Sequence, residues 1–187
     1  MNSGIEISNL SYAILKLANL SHAILKKTNL SNTNLSNAIL IKANLSGTDL
    51  CGANLTDANL SQACLCDGAD LNSANLWAAN LTEASLIEVS LLGAELHYTT
   101  LIGTTLKKVN LNEANLTYAK LHRANLTDVT MSGTNFVSAD LSKAILSRID
   151  LYDVDLSTAI LKQAHFSEIS NISRETENDL KEQGAEF

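Results

Sequence analysis

An apolar residue recurs at every fifth position from Leu10 to Leu65, takes one step of six to Leu71, and then recurs every fifth again to Phe166. Of these 32 centres 29 are Leu, the exceptions being Met131, Phe136 and Phe166. The residue two before each centre is small, Ala in 20 cases, and the residue just before it is Asn or Asp in 18. A period of five fits neither the 3.6-residue helix nor simple alternation along a strand. It does fit a chain in which each pentapeptide is a short straight run followed by a corner. The centre and the small residue two before it then face inward, and the other three face out. Four such sides close a coil, and coils must stack to form a core because none can bury its own apolar face.

Corner chemistry agrees with this reading. Five of the eight glycines, Gly47, Gly52, Gly93, Gly103 and Gly133, lie two residues after a centre, as do Asn32 and Asn37. A type II turn needs positive φ there, which Gly supplies freely and Asn tolerates. Proline, which would remove a backbone donor from the stack, does not occur.

Runs such as Ala53-Asn54-Leu55-Thr56-Asp57 and Ala114-Asn115-Leu116-Thr117-Tyr118 resemble the A-(D/N)-L-x-x unit of pentapeptide-repeat proteins. The resemblance runs from about Ser8 to Ser167 and implies an all-β fold, the right-handed quadrilateral β-helix. Thirty-two centres on four sides predict about eight coils, a rod of about 38 Å at the strand spacing. Residues 1–9 form an N-terminal start with Ile5 as a vestigial centre, and residues 10–166 form the β-helix. Leu65 and Leu71 flank a one-residue phase break at residues 66–70. Gly68 makes a bulge or widened turn its natural accommodation, and a hinge between two sub-columns is the alternative. Leu96 in mid-column and the large centres Phe136 and Phe166 are structural positions. Residues 167–187 are polar and acidic. They are read as a cap helix from Ser173 to Gln183, closed by Gly184 and docked through Ile169 and Ile172, or as a disordered tail.

Composition adds bounds. The chain has 187 residues, 45% of them hydrophobic but only 4% aromatic, so Leu and Ala build the core. No sorting signal or membrane-spanning run is read, and an odd three cysteines argue against a disulfide framework, which makes the cytoplasm the expected compartment. Cys51, Cys64 and Cys66 lack further ligands at metal spacing, and His22, His97, His122 and His165 are scattered over three sides. No phosphate loop, nucleophile elbow or zinc-protease motif occurs. No metal or cofactor is expected, and the chain is read as no enzyme.

Two surface features remain. Counted through the phase break, Leu76, Leu96 and Leu116 stack on one side. Trp77 then neighbours His97 in the next coil, and Tyr98 neighbours Tyr118. This aromatic ladder is either rung-on-rung stacking or a contact patch, since Trp and Tyr are enriched at interfaces. The second feature is charge. The net charge is −7, and residues 49–106 hold seven acids and no base, among them Asp57, Asp70, Glu83 and Glu88. Direct nucleic-acid binding is excluded, because phosphate contact wants a basic stripe. The resemblance supplies a sharper idea. Quinolone-resistance members of the family are acidic rods that bind DNA gyrase in place of DNA. The expected function is a non-catalytic, protein-binding or structural scaffold with an unknown protein partner. The alternative is an acidic mimic of DNA that binds DNA gyrase. A monomer is favoured, with a weak dimer through the C-terminal segment as the other state.

Overall fold

The computed structural model describes residues 9–187, so the expectation for residues 1–8, including Ile5, lies outside the described residues. The chain is a parallel β-solenoid with one short C-terminal helix. Its four sides follow from the bridges between coils. Side one carries Asn9, Asn29, Asp49, Asp70 and Ser90, and side two Ile14, Asn34, Asn54, Asn75 and Glu95. Side three carries Asn19, Ile39, Asn59, Asn80 and Thr100. Side four begins at Ile24 and Asn44 and continues as regular strands β1 (Cys64–Leu65), β2 (Ser85–Ile87), β3 (Thr105–Lys107), β4 (Asn125–Thr127), β5 (Ile145–Ser147) and β6 (His165–Ser167).

These six strands form one sheet in chain order, all parallel. Regular strand therefore spans five coil-to-coil steps, fewer than the eight coils expected from the count of centres. The physical reason is the corner. With a turn at every fifth residue, most runs hold one ladder residue, and neighbouring coils meet through isolated bridges that carry the same spacing from Asn9 to Ser170.

The inward set is the predicted one. Every centre from Leu30 to Leu146 is at most 1% exposed, and the small residues between them are buried with them. Where Thr33, Thr48, Thr99, Thr104 or Thr134 replaces Ala on the inside, its hydroxyl donates to a backbone carbonyl. Thr99 reaches Leu76 at 2.8 Å, Thr104 reaches Leu81 at 2.9 Å and Thr134 reaches Leu111 at 2.7 Å, so no buried hydroxyl there is left unpaired.

Most corners are closed by a bond from the third residue after the centre back to the centre's carbonyl, as in Ala53 to Leu50 at 2.9 Å, whereas the corners that follow strands β1 to β6 are bends without it. The second residue after the centre takes positive φ, as predicted from the glycines. Yet Tyr12, Leu17, Lys42, Glu83 and Tyr98 adopt it as readily, with φ between 55° and 63°. Gly and Asn mark the position without being required by it. The turn bond and the coil-to-coil ladder together outweigh the modest cost of left-handed backbone.

The phase break is confined to one corner. Asp67 and Gly68 both have positive φ, and a Cβ on Gly68 would meet nothing within 4 Å. The ladder continues across it with a 21-residue step, Cys64 to Ser85 and Leu65 to Leu86, so the columns below and above stay in register. This is a bulge in open space. Deleting Gly68 is expected to shift stability by less than ~1 kcal/mol in thermal melts, because only one exposed corner is rebuilt. Collapse of the fold would show that the longer corner is needed.

The C-terminal segment is ordered. Helix α1 (Arg174–Glu182) starts at Ser173, whose side chain accepts from the Thr176 N–H, and has Glu175 and Glu177 in its first turn. Leu180 is its one buried residue, with Ile169 and Ile172 packed against the core. After Gly184, with φ at +94°, the chain turns back and pairs with the last coil. Glu186 bridges His165, and Phe187 stacks on Phe166 with centroids 4.8 Å apart.

Candidate functional site

Side two brings the predicted aromatic residues together. Trp77 and His97 each follow a centre and sit in adjacent coils. Tyr98 and Tyr118 hold the positive-φ corner beside them, with φ of 60° and 58°. The Trp77 and His97 ring centroids are 6.2 Å apart and edge-on, and Trp77 meets Tyr98 at the same distance and geometry. Tyr98 and Tyr118 stack face to face at 5.0 Å with planes 12° apart. Ala78, at the same corner one coil before Tyr98, leaves room for the indole. Trp77 is 38% exposed, Tyr98 50% and Tyr118 47%. Rings stacked this way stabilise one another and also present a flat, partly apolar strip. Trp77 emission is expected to be partly red-shifted and quenchable by acrylamide, and to change in His97→Ala and Tyr98→Ala. A fully blue-shifted, unquenchable signal would contradict this exposure.

The polar frame of the strip is fixed from below. Trp77 N–H donates to Asn75 Oδ1 at 3.0 Å, and Thr117 N–H to Asn115 Oδ1 at 3.1 Å. The same bond recurs along the solenoid where Asn or Asp precedes a centre, for example Thr56 to Asn54 and Tyr152 to Asp150, while at Asn125 the Thr127 hydroxyl donates instead. It satisfies the N–H that the corner would otherwise leave open. Glu95 accepts from Asn115 Nδ2 at 3.0 Å. His97 Nδ1 is buried 3.3 Å from Glu95 Oε2 but makes no hydrogen bond. Nothing in the repeat count alone pointed to Glu95, which enters the strip because it precedes the centre Leu96.

The four predicted acids fall on different parts of the surface. Asp57 shares the corner column of Tyr98 and Tyr118, two coils before Tyr98, and Asp70 bridges on side one. Glu83 lies at the corner of sides three and four, where its carboxylate accepts from Gln62 Nε2 at 2.8 Å. Glu88 lies at the corner of sides four and one, 2.9 Å from Lys108 Nζ. It heads a ladder of alternating charge in which Arg148 grips Asp128 through two bonds of 2.6 and 2.7 Å. The hydrogen bonds from Lys108 and Arg148 hold the Glu88 and Asp128 carboxyls below their ordinary range. Their contribution is therefore present at neutral pH and lost as pH falls through those lowered values. The acids thus form a belt around the rod, and part of it is already paired within the chain.

The three cysteines do not form one cluster, although the Cys64 and Cys66 side chains meet. Cys64 and Cys66 flank Leu65 on side four, Cys51 lies on side one, and all three are free. Burial, as the largest cause, raises the thiol pKa of Cys51 and of Cys66, the reverse of what an activated thiolate needs. No group of three or more metal-ligating side chains occurs among the described residues. No helix among them is long and apolar enough to cross a membrane.

A family profile for pentapeptide repeats, 8 copies, matches residues 8–40, 40–68, 64–97, 94–133 and 134–169. Among curated proteins no sequence matches. The chain is 31% identical to HetL, a pentapeptide repeat protein involved in heterocyst differentiation regulation from the cyanobacterium Nostoc. That match covers 87% of this chain and 80% of HetL, with a TM-score of 0.53. A trypsin-treated variant of QnrB1, a plasmid-mediated fluoroquinolone resistance protein, superposes with a TM-score of 0.78 at 18% identity. It covers 87% of this chain and 83% of that one, and it shares the fold.

Proposed function

The chain belongs to the pentapeptide-repeat family, and from that premise we propose that it is a non-catalytic rod that binds a partner protein through the aromatic strip of side two. The observation that carries this reading is the exposure of Trp77, Tyr98 and Tyr118 in one continuous strip of ring contacts, in a chain with eight aromatic residues in all. Large rings held rigid by their neighbours lose little freedom on contact and bury much area, which is why such groups anchor interfaces. A regulatory role of the kind named for HetL is one that a rod performs by contact alone.

The test is a quantitative pull-down with wild type and with Trp77→Ala, Tyr98→Ala and Tyr118→Ala combined, with folding checked by circular dichroism. A partner retained by wild type and lost at least tenfold by the folded variant supports the reading. Partners that bind both proteins equally would overturn it.

A second reading rests on the acidic belt, seven acids without a base in residues 49–106. In it the rod stands in for DNA on DNA gyrase. Inhibition of supercoiling that weakens with salt and is lost in Asp57→Asn, Asp70→Asn, Glu83→Gln and Glu88→Gln combined supports it. No inhibition at micromolar concentration removes it.

A further inference from the structure

Among the described residues, the most exposed apolar side chains of the solenoid lie in its first and last described coils. In the first coil Tyr12 is 75% exposed, Ile14 82%, Leu17 69% and Ile24 82%. In the last, Tyr152 is 71% and Ile160 52% exposed, while none on the coils between exceeds the 50% of Tyr98. Ile14 and Ile24 stand where later coils mostly carry polar groups, and the centres Leu10, Leu15, Leu20 and Leu25 are only partly buried. Tyr12, Ile14 and Leu17 adjoin on side two and its corners, and apolar surface gathered in this way marks a contact.

Charge separates the two ends. Residues 9–28 hold Lys16, Lys26 and Lys27, all exposed, and no acid, with Lys26 lying 3.7 Å from Asp67. At the other end helix α1 covers the last coil incompletely and leaves a cleft of about 890 Å³. Leu151 and Leu156 form its floor and Leu180 its wall. Its rim is Asp153, Asp155, Asp179 and Glu182, with no base among the lining residues. The Ser157 side chain first, and then its N–H at 2.8 Å, hydrogen-bond Asp155 and favour its charged form. Four carboxylates around one apolar floor repel one another until a cation is brought among them.

We propose that the chain assembles end to end, the basic, apolar first coil of one copy seated on the acidic, apolar-floored cleft of the next. The alternatives within self-association are excluded by sign. Two first coils face to face oppose lysines, and two clefts face to face oppose carboxylates. Only head-to-tail contact pairs unlike charges over apolar surface. Such a contact is heterologous and leaves a free end on each copy, so it grows without closing. This departs from the monomer expected from the thin apolar face of the helix, because the contact uses the cleft beside the helix together with the opposite end of the rod. It is independent of the aromatic strip on side two.

Sedimentation velocity on the full chain tests this at rising concentration and two ionic strengths. The wild-type weight-average mass is expected to climb above the 20.1 kDa of one chain, to pass the dimer without a plateau, and to fall back in high salt. Lys16→Glu with Lys27→Glu, and separately Asp153→Lys, Asp179→Lys and Glu182→Lys combined, should each remain at the single-chain mass. Mixed one to one, the two variants should regain growth, since each end then meets its opposite charge again. Circular dichroism confirms that both are folded. The proposal is overturned by a wild type that stays at one chain in low salt, by a closed dimer, by either variant assembling alone, or by a mixture that stays single. Co-sedimentation of the monomeric chain with anionic vesicles, without self-association, would assign the first coil to a lipid surface and overturn it as well.

Discussion

Leu96→Asp is expected to destabilise the solenoid by more than ~4 kcal/mol and to split its unfolding into two steps. Leu96 is fully buried, stacked between Leu76 and Leu116 with Ala94 beside it, and none of these offers a hydrogen-bond donor to a carboxylate. Each coil contacts only its neighbours, so a failure in mid-column separates the coils before it from the coils after it. The control is Thr56→Asp, which changes an outward residue on the same side and should cost well under ~1 kcal/mol. Thermal unfolding followed by circular dichroism compares the two. Equal shifts would refute the division into inward centres and outward followers on which the architecture rests.

Leu180→Ala is expected to release the C-terminal cap, with a local cost of about 2–4 kcal/mol for the lost side chain. Leu180 is 3% exposed and is the only buried residue of helix α1. The helix holds the returning strand in place. In that strand Glu186 accepts from the Phe166 N–H at 2.7 Å, and its own N–H donates to Ala164 at 2.8 Å. Hydrogen exchange should therefore show lost protection over the last coil and residues 171–187, with the middle coils unchanged. The weaker variant Ser173→Ala, which removes the N-cap, should cost about 1 kcal/mol and loosen the same region less. A uniform loss along the whole rod would mean that the cap is coupled to every coil, contrary to nearest-neighbour stacking.

These two residues differ in how legible they were. Leu96 is readable as core from spacing alone, because a residue at every fifth position with a small partner two before it has one inward solution. The aromatic strip was legible for a related reason. Once the six-residue step is counted, coil geometry places Trp77 beside His97 and Tyr98 beside Tyr118 without any knowledge of contacts. The cap helix was legible in its start at Ser173 and its stop at Gly184, since both are local chemistry.

The cleft above Leu151 and Leu156 and the strand return at Glu186 were not legible. Both depend on where a short helix comes to rest on the last coil, which no period encodes. The arrangement of the acids was not legible for the same reason. A run of like charge in sequence becomes a belt when every fifth residue turns a corner, and Glu88 finds Lys108 only because a coil separates them. The role of Asn and Asp before the centres was also hidden. Their frequency was plain, but their acceptance of the N–H two residues on, as in Trp77 to Asn75, appears only with the corner formed.

By itself, then, the sequence determined the solenoid, its sides, its inward set and its register, because hydrophobic periodicity admits a single way to bury 29 leucines. Only the tertiary structure decided which charges pair, how the last coil is closed and what the two ends expose. Those outcomes depend on distances between residues a full coil or more apart, and these exist only once the coils have stacked.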